Sequence, residues 1–134
     1  MSTKRIVLAI LAGFILMVAG RYLIHGVWLV GVYAENGALW RPQAEMRHLI
    51  WVIQVANLIF ATAATLIYVR GREAKPWLGQ GLRFGILLAL VCAVPQSMVE
   101  YFTYPVSSTL MLQWIAGEGI LAVLFGVVVA AICR

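Results

Sequence analysis

The residues able to do chemistry in this chain stand in unusual places. Arg21 and His25 interrupt the apolar stretch VAGRYLIHGVW, while Glu100 and Glu118 lie inside two other apolar runs. Amides sit beside them at helical spacing: Gln54 and Asn57 are three residues apart and Gln96 precedes Glu100 by four, so each pair shares a helix face. A guanidinium, two carboxylates and an imidazole are the parts of an internal ion-pair clamp, of a proton or cation site, or of acid–base catalysis.

Composition defines the surroundings of these groups. Hydrophobic residues make up 63% of the chain and charged residues only 11%, against roughly half and a quarter in soluble domains. A membrane span takes about 20 apolar residues, so four spans with short connections nearly fill 134 residues and leave no room for a soluble catalytic domain. The runs predict an all-α integral membrane protein, one domain in which four transmembrane helices, about 6–32, 42–69, 78–101 and 109–133, form a compact bundle. Between them, "ENG" before Pro42, the polar "RGREAKPW" and "TYPVSS" read as connections. The outer loop from Ala34 to Arg47 is short enough to be mostly helix extension.

Basic residues set the expected orientation. Lys4, Arg5, Arg70, Arg72, Lys75, Arg83 and Arg134 fall on one side of the four-span plan, against Arg41 and Arg47 on the other, which predicts that both termini are cytoplasmic. These cations flank apolar runs and form no aromatic-interleaved patch, so no nucleic-acid partner is expected. The basic start and "VAG" before Arg21 also fit a signal peptide cut after Gly20; the expectation here is an uncleaved first span.

At 1.5 Å per residue the polar groups share a depth. Arg21 lies about 22 Å from Ile6, Glu100 about 22 Å from Gly85, Glu118 about 22 Å from Cys133, and Gln54 about 21 Å from Tyr68. With their neighbours they make an expected layer of Arg21, His25, Gln54, Asn57, Gln96, Glu100 and Glu118 in the outer half of the bilayer. Each ionised residue facing lipid at a helix centre costs about 2.5–3.5 kcal/mol, so Arg21 is expected to bridge one or both glutamates. The one negative charge in excess leaves room for a proton, a charged His25 or a bound cation.

Other signals are weaker. His25 and His48 fall near the outer boundary and are candidate haem or metal ligands, although no spacing motif supports them and the cofactor stays unknown. Cys92 and Cys133 read as small apolar residues rather than a redox pair. "GQGLRFG" lacks the strand and spacing of a dinucleotide fingerprint, and Gly81 and Gly85 mark close helix packing instead. Pro95 removes a backbone hydrogen bond about one turn before Glu100.

With "RYLIHGVW", "ALWRP" and "KPWLGQGLRFG" in a four-span plan, the chain resembles small inner-membrane proteins of bacteria. That likeness implies a multi-pass inner-membrane location and assigns no residue a role. The expected partners are the lipid bilayer and either a second copy or a larger membrane complex, in a non-catalytic accessory or structural role. The competing expectation is an oligomeric transporter or channel for a proton, cation or small solute that uses the same cluster. An enzyme ranks third, because no substrate pocket is legible.

Overall fold

The computed structural model describes residues 2–134 and is helical throughout. Helix α1 (Thr3–Arg21) runs into a wider π-helical segment, Tyr22–Trp28, closed by the bond from Leu29 N to Ile24 O at 2.9 Å. Short helices α2 (Val30–Glu35) and α3 (Gln43–His48) form the first connection, with a single 3₁₀ turn, Gly37–Leu39, between them. Helix α4 (Ile50–Gly71) returns. Helix α5 (Trp77–Leu88), a second π segment (Ala89–Ala93) and α6 (Val94–Thr103) make one continuous third traverse, and α7 (Ser108–Ile132) closes the chain. Four stretches are long and apolar enough to cross a membrane: Thr3–Trp28, Ile50–Gly71, Trp77–Thr103 and Ser108–Ile132.

Two ends differ from the runs read in the sequence. The first span stops at Trp28 rather than about residue 32, because Leu29 (φ −95°, ψ 1°) leaves helical geometry. The second begins at Ile50 rather than at Pro42. Pro42 is extended, α3 carries Glu45, Arg47 and His48, and a second break falls at Leu49 (φ −96°, ψ 2°). A six-residue helix with three ionisable groups has no apolar face to give to lipid, and its Arg41–Glu45 pair at 2.9 Å is exposed. At the other connection the Ser107 hydroxyl caps α7 by accepting from Leu110 N at 3.1 Å.

Helix α7 is the axis of the bundle. Leu110, Trp114, Leu121, Phe125 and Val129 recur along it every four or seven residues and are buried. This row of large side chains meets glycines of α1: a Cβ on Gly13 would lie 2.5 Å from Phe125 Cε2, and Gly117 in turn receives Ile24. A second row, Ala122, Gly126 and Ala130, faces α5, where Gly81 and Gly85 bring the two backbones together. The close packing expected at these two glycines is therefore present. Helix α4 packs on α1 and reaches its other neighbours through long rings, Phe60 against Phe125 at 5.2 Å and Tyr68 against Phe84 at 5.3 Å. Lipid offers no hydrophobic drive for helix pairing, so contact of small residues is what lets α5 and α7 associate.

This contact predicts a sharp asymmetry among the glycines of α5. A Cβ at Gly85 would stand 2.5 Å from Val123 Cα and 2.8 Å from Ala122 O, backbone atoms that have no rotamer to escape into, whereas one at Gly79 meets nothing within 4 Å. Gly85→Ala is expected to destabilise the detergent-solubilised protein by about 1–3 kcal/mol, as overpacked cores do. Gly79→Ala should be neutral or slightly stabilising. Equal melting temperatures for the two variants would contradict the packing.

Candidate functional site: an arginine, histidine and glutamate network

Glu118 projects from the central helix α7 and is bound on both oxygens. Arg21 donates to Oε2 from Nε at 3.3 Å and from Nη2 at 3.2 Å, and His25 Nε2 lies 3.1 Å from Oε1. The third guanidinium nitrogen, Nη1, donates to Asn57 Oδ1 of α4 at 2.5 Å. One carboxylate thus ties α1 to α7, and one guanidinium ties both to α4. The site is partly enclosed: the side chains of Glu118, Arg21 and His25 keep 18%, 31% and 38% of their surface.

Aromatic groups extend the network outward. Tyr33 OH lies 2.6 Å from His25 Nδ1 and accepts from Trp114 Nε1 at 2.7 Å. Its ring stacks on His25 at 5.9 Å, Trp40 meets Tyr33 edge-on at 5.4 Å, and Tyr104 follows Trp40 at 6.1 Å. These rings cap the ion pair from the side of the α2–α3 connection. Burial raises the Tyr33 hydroxyl above its ordinary range, so the group stays protonated and keeps a hydrogen to donate.

The directions of the bonds follow from the indole. Trp114 Nε1–H can only donate, so the Tyr33 oxygen accepts there and its own hydrogen is directed to His25 Nδ1. That leaves Nε2 as the protonated nitrogen, donating to Glu118. In this tautomer each polar hydrogen of the Trp114–Tyr33–His25–Glu118 relay has an acceptor. A doubly protonated ring would make Tyr33 accept twice and leave its hydroxyl hydrogen without a place in the network.

The layer read in the sequence is only partly assembled. Arg21, His25, Asn57 and Glu118 come together. Gln54 lies one turn from Asn57, but its Oε1 is buried without a protein partner, as is Asn57 Nδ2. Among the described residues Gln96 and Glu100 are not hydrogen-bonded to the network, although the Glu100 charge is felt at Tyr33: Gln96 Nε2 donates to Glu100 Oε1 at 3.0 Å within their own helix, and Arg21 bridges Glu118 and not Glu100. The reason is rotational. Ala93 and Ser97 are buried, and 100° per residue then puts Gln96 and Glu100 on the flank of α6. His48 is exposed at the end of α3, away from the bonds of His25, and among the described residues no three His, Cys, Asp or Glu side chains are grouped as metal ligands.

Two participants escaped the sequence reading. Trp114 had a usable signal, since it precedes Glu118 by one turn on the same face. Tyr33 had none: it is eight residues beyond His25, and the π segment with the break at Leu29 is what folds it back. No protein-family model, curated protein or solved structure matches the chain, so the chemistry of the site rests on this geometry.

Nitrogen NMR of His25 in detergent micelles checks the bond directions. At neutral pH the spectrum should show one protonated ring nitrogen, Nε2, and Tyr33→Phe should move the Nδ1 resonance most. A doubly protonated ring, or an Nδ1–H tautomer, would contradict the assignment.

Proposed function

We propose that the protein is a small multi-pass inner-membrane protein with both termini in the cytoplasm, a non-catalytic accessory or structural subunit that associates within the bilayer with itself or a larger complex. In this reading the Arg21–Glu118–His25–Asn57 network is an internal clamp. The observation that carries it is the complete pairing of Glu118, whose two oxygens are both taken by donors from the first traverse, Arg21 at the end of α1 and His25 in the π segment, under an aromatic cap. A carboxylate held this way fixes helix register and is poorly disposed to exchange partners with a passing solute. Orientation is inferred from the seven cations gathered at one end against two at the other.

The flank of α6 supplies the associating face. Gln96 is exposed, and Glu100 is half-buried and bonded to that amide. An ionisable group at the edge of a span is best covered by protein or by the interface.

A second reading, an oligomeric transporter for a proton, cation or small solute, draws on one observation, the third of Arg21 and of His25 that remains open. Accessibility separates the two. In a variant freed of Cys92 and Cys133, single cysteines at Ser97 and Ile115 would be exposed to a membrane-impermeant thiol reagent in intact cells. The clamp predicts little or no labelling at either position. Rapid labelling of both, altered by a proton gradient or a candidate cation, would favour transport.

A further inference from the structure

The end of the bundle opposite the network carries a built cleft. The α4–α5 connection is held in shape by Gln80, whose Oε1 accepts from Glu73 N at 2.8 Å and whose Nε2 donates to Glu73 O at 3.0 Å and Lys75 O at 2.7 Å. Arg72 donates to the carbonyl of Cys133 and so fastens the same connection to the end of α7. Between these pieces lies a cleft of about 270 Å³, lined among others by Arg72, Lys75, Trp77, Gln80 and Arg134. The Arg134 guanidinium sits 5.8 Å above the Trp77 ring. The acidic lining residue is Glu73, paired with Lys75, and both of these side chains are more than half exposed, at 53% and 57%.

The geometry points to this cleft as a binding site for the headgroup of an anionic phospholipid. Charge is the first support. Lys4, Arg5, Arg70, Arg72, Lys75, Arg83 and Arg134 share this end of the chain's plan, and Arg5 Nη1 bonds to the Arg134 carbonyl at 2.5 Å, which draws the amino end to the cleft. Basic pockets between helices at the membrane surface recognise phosphate headgroups. Form is the second support. Trp77 is the first residue of the third span and has an amphipathic ring suited to headgroup level. One residue past it, Leu78, Leu82 and Ile86 make an exposed apolar row at four-residue spacing, against which an acyl chain can lie. Exposed ion pairs are weak, so Lys75 exchanges Glu73 for a phosphate at little cost.

The site is independent of the clamp and of the proposed subunit role, and it is tested separately. The purified full-length protein in a neutral detergent would be melted with phosphatidylglycerol, phosphatidylcholine or inorganic phosphate, and bound lipid counted by native mass spectrometry. Phosphatidylglycerol should raise the melting temperature by several degrees and persist as a single adduct, with both effects weakened at high salt. Phosphatidylcholine and inorganic phosphate should do neither. Lys75→Ala with Arg134→Ala should lower phosphatidylglycerol retention by about tenfold, while Lys4→Ala with Arg70→Ala, an equal loss of charge outside the cleft, should not. Equal stabilisation by the two lipids would overturn the site even if the double variant fails to fold. An equal effect of both variant pairs, or of inorganic phosphate alone, would also overturn it.

Discussion

A carboxylate inside a helical bundle must be matched in charge and in hydrogen bonds, and the rest of this fold is arranged around that requirement at Glu118. Leaving it ionised against lipid would cost about 2.5–3.5 kcal/mol, and Arg21 a similar amount. Brought together they cancel most of that cost, provided that the remaining donor and acceptor sites are filled. Asn57 fills one from α4 and His25 another from the π segment after α1, while Tyr33 and Trp114 complete the side toward the α2–α3 connection. Three helices are thereby indexed to one another by a single group on the fourth traverse.

The other half of the bundle uses a different device. Toward the basic end α7 and α5 approach through Ala122, Gly126 and Ala130 against Gly81 and Gly85, where contact replaces charge. The two devices share α7, with Glu118 one turn from Ala122 at the head of the same four-residue row, so it is both the most buried helix and the one whose substitution disturbs both. The π segments Tyr22–Trp28 and Ala89–Ala93 adjust the register between them. Each widened turn shifts the downstream side chains by about one residue relative to an ideal α-helix. In the first traverse that shift precedes the return of Tyr33 onto His25, and in the third it accommodates Pro95, whose missing N–H an ordinary turn would need.

Much of the fold is legible in the sequence because lipid imposes long, unmistakable periods. Four spans, their approximate ends, the gathering of cations at one end and the role of Gly81 and Gly85 come from hydropathy and small-residue spacing. The Arg21–Glu118 pair is also within reach, since equal depth and unfavourable lipid exposure both point to it. Depth alone does not give azimuth, however. A residue count puts Glu100 level with Glu118, but Glu100 sits on the flank of α6, a rotation that no residue count predicts. Leu49 breaks a helix with no glycine or proline within five residues to announce it. Gln80 reads as a polar accident in a glycine-rich run until its three bonds to the connection are seen.

The most direct test of the clamp is a double-mutant cycle on Arg21 and Glu118, measured by reversible unfolding in mixed micelles. Arg21→Ala should cost no more than the about 3–5 kcal/mol of a fully buried broken pair, since a third of its side chain remains exposed. Removing Glu118 as well should recover part of that loss, giving a coupling of about 1–3 kcal/mol. Strictly additive losses, or wild-type stability of Arg21→Ala, would mean that the two residues act independently and would contradict the clamp.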